Sequence, residues 1–211
     1  MLLDYKWGSN IPPIQTVMEF FNPTGILELG MGKYSTRLLY SYNKKLISIE
    51  TDGDWVDTIK KTIVPRDNFQ VIHHQLGVHH KTKFNQISDQ VKLESIEFYK
   101  QYITPDLEFL FVDHVSGLRA SSILGLLDQF KYIVYHDAQP SQFKNYNYQI
   151  LTKEKTKNYV HFIWPLPIVS SGILIHKNYE DKVQGFVEML NKNSRSYCDR
   201  FDMIYNEVGN V

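Results

Sequence analysis

Acidic and imidazole side chains stand at the tips of short apolar runs in this chain. Glu50 follows Leu46, Ile47 and Ile49, and His74 and Gln75 follow Val71, Ile72 and His73. Asp113 and His114 follow EFLFV, and His136 and Asp137 follow YIVY. If the runs are parallel strands, these tips lie where open α/β sheets bind ligands. A histidine of near-neutral pKa, or a carboxylate, takes a proton from a hydroxyl as general base there. Carboxylates can instead hold a divalent cation that acidifies and orients the same hydroxyl. Each residue also has an ordinary role open to it: Asp113 as a helix cap, His73 and His74 as a loop pair, His79 and His80 in a solvated loop.

A glycine turn precedes the first of these tips. Gly25 to Leu39 reads GILELGMGKYSTRLL. An apolar run closes on Gly30 and Gly32, then Ser35 and Thr36 open a helical pattern. Glu50 ends the next run twenty residues after Gly30. Strand, glycine turn, helix and acid-tipped strand form a pocket for an adenosine-bearing ligand, with Glu50 placed to accept two ribose hydroxyls. The glycines are expected to let the backbone approach that ligand without a Cβ clash. Ser35 stands where a dinucleotide fingerprint requires Gly or Ala. Glu28 is expected to point out of the strand end, where it repels a pyrophosphate but suits an ammonium and a sulfonium.

The pattern Glu28-x-Gly30-x-Gly32-x-x-Ser35-Thr36 resembles motif I of the class I S-adenosylmethionine-dependent methyltransferases, and IETDGDWV (49–56) resembles their acidic post-strand segment. The resemblance continues to about residue 177. It implies a Rossmann-like, seven-stranded, mostly parallel sheet with an antiparallel C-terminal hairpin and helices on both faces. The implied cofactor is S-adenosyl-L-methionine, held by Glu28, Gly30, Gly32, Ser35, Thr36, Glu50, Thr51, His74, Gln75 and Asp113. Trp55 is placed to flank the adenine or to pack a helix.

The elements that must position these residues follow from periodicity and punctuation. Pro12 and Pro13 open a helix over 14–21, which Asn22-Pro23 stops. Strands are expected at 26–29, 46–50, 69–73, 108–113 and 132–137, with helices over 35–42, 54–63, 94–102 and 118–130. Asp52 or Asp54 caps the second of these helices. Continuous apolar runs alternating with helices argue for a parallel sheet covered on both faces. Runs at 159–164 and 172–176, joined across Pro165 and Pro167, read as a hairpin. The chain divides into an N-terminal helical cover (1–23), a core (24–177) and a C-terminal helical segment (178–211).

The segment LEFLFVD…KYIVYHDAQ resembles small-molecule and sugar O-methyltransferases, in which acids after strands four and five hold Mg²⁺. Asp113 and Asp137 match two of those acids, and Gln139 is a third oxygen donor of the kind Mg²⁺ prefers. The chain departs from that pattern: one acid stands at strand five, and Gln129-Phe130-Lys131 replaces the usual glycine-rich turn. The catalytic set implied is Asp113, His114, His136 and Asp137. Metal assistance through Asp113 and Asp137 and base catalysis by His114 or His136 remain alternatives. Aromatic residues in loops, among them Tyr5, Trp7, Tyr34, Phe143, Tyr146 and Tyr148, suit the apolar faces of a glycan or a flat phenol. The segment 139–148 is placed to cover the acceptor and 5–10 to form a second wall.

Composition narrows the remaining classes. Lys+Arg and Asp+Glu balance at 23 each in 211 residues, which argues against the broad basic field of a non-specific nucleic-acid binder. Single Cys198 excludes an intrachain disulfide and a Cys-based zinc site and suits a reducing compartment. No apolar run reaches the roughly 18 residues of a membrane span, so a soluble, cytoplasmic protein is expected. It stands alone, as one domain of a larger enzyme, or as a homo-oligomer. A cap-ribose methyltransferase, a non-catalytic Rossmann-like binding domain and, more remotely, a nicotinamide oxidoreductase are the competing readings.

Overall fold

The computed structural model describes residues 8–167 and 169–208; Tyr5 and Trp7 lie outside them. Its centre is a seven-stranded sheet in the order β3-β2-β1-β4-β5-β7-β6. The strands are β1 (Gly25–Leu29), β2 (Lys45–Glu50), β3 (Phe69–His73), β4 (Phe109–Val112), β5 (Tyr132–Tyr135), β6 (Tyr159–Trp164) and β7 (Ser171–His176). The first five run parallel, and β7 enters antiparallel beside β5 with β6 at its outer edge. This is the expected architecture, hairpin included.

Alternate residues of each strand feed opposite layers, because successive side chains point to opposite faces. Ile26, Phe109, Phe111 and Val134 pack with α1 (Ile11–Phe20), α2 (Ser35–Ser41) and α7 (Val183–Asp199). Leu27, Leu29, Leu110, Val112 and Ile133 pack with α4 (Asp89–Lys100) and α5 (Arg119–Leu126). Helix α3 (Gly53–Lys60) covers the β2–β3 end, and the single turn α6 (Phe143–Tyr146) follows β5. Each fully buried Leu or Phe in these layers contributes about 1.5–3 kcal/mol. Cys198 is buried in α7, an ordinary packing position.

Helix α1 begins at Ile11 rather than at 14 and α3 ends at Lys60 rather than at 63, and two further helices differ for identifiable reasons. Helix α4 begins at Asp89 rather than Glu94, because the Ser88 hydroxyl accepts from the Val91 amide and caps it. The helix expected over 118–130 divides into α5 and a separate 3-10 turn, Leu127–Gln129. Asp52, not Asp54, caps α3 by accepting from the Trp55 amide at 3.1 Å. Among the described residues no helix is long and apolar enough to cross a membrane.

Candidate active site

The glycine turn is packed tightly against the rest of the chain. Past Leu29 the chain turns at Gly30 with φ +90°. A Cβ there would lie 2.5 Å from the Asp113 carbonyl and the His114 nitrogen, so the β1 and β4 exits touch through this glycine. At Gly32 a Cβ would collide with the Ser35 hydroxyl. At both glycines the atoms nearest the missing Cβ are the chain's own, so the fold of the turn itself requires a residue without a side chain.

Glu28 does not point out of the strand end. It pairs with Ser48 and Phe111 inside β1 and is 0% exposed. Its Oε1 accepts from Ser35 Oγ (2.9 Å) and Thr36 Oγ1 (3.0 Å), and Oε2 accepts from Ser48 Oγ (2.6 Å). A polar group on a covered sheet face must find partners inside, and these three hydroxyls serve. Burial outweighs the hydroxyls and, with the Glu50 charge, pushes the carboxyl up to about 8. Glu28, Ser35 and Thr36, expected to touch the ligand, instead tie α2 to β1 and β2. A carboxyl whose folded pKa lies above the ordinary 4.5 adds stability at low pH and loses it as pH rises to about 8. Glu28→Gln is expected to flatten this decline in urea unfolding across that interval; a variant curve parallel to wild type would contradict the assignment.

Glu50 does reach the ligand-side edge. Its Oε2 accepts from the Met31 amide (2.8 Å), and Oε1 from the Thr51 and Asp52 amides (2.6 and 3.0 Å). Burial raises its pKa and the three amides oppose the rise. The residue lines a cleft of about 440 Å³ together with Met31, Trp55, Asp113, Arg119 and Tyr146. The Trp55 indole N–H donates to the Met31 carbonyl at 2.6 Å, which fixes the ring in the wall. Thr51 belongs to this cleft and to an adjoining one of about 420 Å³ that Gln75 and His73 line.

His74 turns away from Gln75 and stacks on Phe98 with ring centroids 3.6 Å apart. Its Nε2 is buried without a partner, as are the Tyr99 hydroxyl and His114 Nδ1. Tyr99 lies between the two histidines, 5.9 Å from His74 and 5.7 Å from His114 between centroids. Unpaired buried polar atoms are uncommon and each calls for an explanation. His114 itself is no base at neutral pH. Burial, helped by the charge of Arg119, pushes it down to about 3, and its Nε2 pairs with Ser122 Oγ at 3.0 Å.

The tips of β4 and β5 do converge, as their adjacency requires. Asp137 adopts a left-handed backbone, φ +59°, a conformation that Asp tolerates better than most residues. Between the two acids lies Arg119, 6% exposed, which sequence reasoning did not single out. Its Nη2 sits 2.8 Å from Asp113 Oδ1 and its Nη1 2.8 Å from Asp137 Oδ2. Nε donates to the His114 carbonyl at 2.9 Å, and the Tyr146 ring lies 4.5 Å from the guanidinium carbon. One signal pointed this way. Arg119 is the first residue of α5, where the helix dipole disfavours a cation unless acids face it.

His136 is buried behind this pair. Its Nδ1 is 3.3 Å from Asp113 Oδ1 and its Nε2 is 3.0 Å from the hydroxyl of Ser9, another residue not foreseen. Burial lowers the imidazole pKa, but the charges of Asp113 and Asp137 outweigh it and raise the value above 6.5. Asp137 is likewise held below the usual carboxylate range: burial works upward, and His136 and Arg119 prevail. Tyr146 donates to Asp137 Oδ2 at 2.9 Å, and Tyr148 to the His136 carbonyl at 2.7 Å. The segment after β5 thus does cover the site.

A divalent cation would compete here with a cation that the chain itself supplies. Ligand atoms of Asp113, His136 and Asp137 do lie within 4.8 Å of one another. One oxygen of each acid, Asp113 Oδ1 and Asp137 Oδ2, already pairs with the guanidinium, and the Gln139 amide oxygen accepts from the Ser170 amide.

No protein-family model matches the chain, and no curated protein matches it. Solved structures do. The chain resembles a candidate caffeoyl-CoA O-methyltransferase of Staphylococcus aureus (11% identity, TM-score 0.56, 83% of this chain and 85% of that one). It also resembles a methyltransferase-like protein of Silicibacter pomeroyi (13%, 0.51, 90% and 96%) and a candidate methyltransferase of Thermobifida fusca (9%, 0.50, 82% and 80%). At such identities the likeness is one of fold. With the strand order and the antiparallel β7, it shows that the chain has the Rossmann-like fold of the class I S-adenosylmethionine-dependent methyltransferases.

Proposed function

We propose that the chain is an S-adenosylmethionine-dependent O-methyltransferase whose acceptor is a hydroxyl of a sugar or similar small molecule. The observation that carries this reading is the hydrogen-bonded line Asp113–His136–Ser9 beside an acid-lined cleft. An imidazole poised by a carboxylate already holds a hydroxyl on its free nitrogen at 3.0 Å.

The residues fit the methyl donor. Glu50 in the cleft wall supports this reading as the acid that would accept ribose hydroxyls. Two carboxylates against one guanidinium leave one uncompensated negative charge at the β4 and β5 tips while His136 is neutral. That charge favours a sulfonium over its neutral product. The donor supplies an activated methyl group, so the protein's tasks are alignment and proton removal. Neutral His136 accepts the acceptor hydroxyl's proton at Nε2, the atom now facing Ser9. Asp113 holds the ring by Nδ1 and stabilises the imidazolium that results. Tyr146 and Trp55 wall the cleft.

Tritium transfer from methyl-labelled donor to a panel of sugars, phenols and capped RNA tests the acceptor class. Label on sugars is expected, and label on RNA alone would replace this reading with the cap-ribose alternative. Glu50→Gln is expected to weaken donor binding by about 10- to 100-fold, the worth of hydrogen bonds to a charged group. Unchanged affinity in calorimetry would remove Glu50 from the site.

A further inference from the structure

We propose that Arg119 is a built-in cation that stands in place of a divalent metal ion between Asp113 and Asp137, which are metal ligands only in latent form. The proposal deepens the methyl-transfer reading but stands on the ion pairs alone.

Four of the five N–H donors of this guanidinium are engaged. It reaches one carboxylate with each terminal nitrogen, two backbone carbonyls with Nε and Nη1, and the Tyr146 ring with its face. Such fork geometry is what distinguishes arginine from a mobile lysine charge. A divalent ion entering between the acids would have to displace it or sit against a fixed positive charge. Either is unfavourable in a buried site, where like charges are poorly screened. The arrangement also performs the positional work of a metal. It pairs with both acids and fixes Asp113 Oδ1, the atom that holds His136. A buried ion pair broken on one side leaves an uncompensated charge, so removing Arg119 should leave two carboxylates and an imidazole in want of a cation.

The prediction concerns metal binding and is read without any turnover. Mn²⁺ is titrated into the wild-type chain, Arg119→Ala, Arg119→Met and the double variant Arg119→Ala/Asp137→Ala, with free Mn²⁺ followed by electron paramagnetic resonance. The wild type is expected to show no stoichiometric site. Both single variants should bind one Mn²⁺ more than about tenfold tighter than wild type, a difference of about 1.4 kcal/mol, and the double variant should lose it. Both single variants should melt lower than wild type and recover on adding Mn²⁺. Stoichiometric binding to the wild type that Asp113→Asn abolishes would overturn the proposal. So would single variants that neither bind Mn²⁺ nor are refolded by it. Failure of methyl transfer in every assay would leave this result standing.

Discussion

Replacing His136 with glutamine is expected to slow methyl transfer by about 10²- to 10⁴-fold, the usual worth of a general base, with little change in donor affinity. Glutamine can still bond Ser9 and Asp113 but cannot carry the proton. The wild-type rate should rise with pH through a pKa above 6.5, because only neutral His136 accepts a proton and Asp113 and Asp137 raise its value. The groups facing the ring are those two acids, the Arg119 guanidinium and the Ser9 hydroxyl. Stability moves the other way. A histidine with a raised folded pKa stabilises the chain below 6.5, and that contribution is lost as pH climbs through the folded value. Activity should therefore grow where this stabilisation fades, and His136→Gln should lack both limbs. A variant that turns over like wild type would remove His136 from the chemistry.

Gly30→Ala is expected to cost on the order of 3 kcal/mol or more. The left-handed φ contributes about 1–3 kcal/mol of strain, and overpacking adds a similar amount. The collision is with backbone, the Asp113 carbonyl and the His114 nitrogen at 2.5 Å, so no side-chain rotation relieves it. In a chain of this size the melting temperature should fall by about 6–12 °C. Because the displaced segment carries Asp113, residual activity should drop even where the fold survives. An unchanged melting temperature would show that the turn is not packed as described.

The strands were legible because each is a local apolar run between breakers. β3 and β6 fall at the expected residues, and the other strands differ only at their ends. The tips were legible for the same reason, since parallel strands in this order must present Glu50, Asp113 and His136 along one edge. Orientation within a strand was not. Both faces of this sheet are covered, so the positions of Ile26 and Glu28 looked alike in kind, and Glu28 could be placed as a tip residue when it lies under α2. Partners distant in sequence were also hidden. Ser9 meets His136 across 127 residues, and the Arg119 and Asp137 charges meet across 18. Nothing local to either pair announces the contact, apart from a cation at the start of a helix.

The proposed donor site carries its charge at the tips of β4 and β5. Titrating the purified chain with S-adenosylmethionine and with its demethylated product in a calorimeter, at a pH above the His136 pKa, tests this most directly. Both are predicted to bind, the sulfonium more tightly than the neutral thioether, with the gap narrowing in Asp113→Asn. No heat with either compound, or a preference for the thioether that Asp113→Asn leaves unchanged, would contradict it.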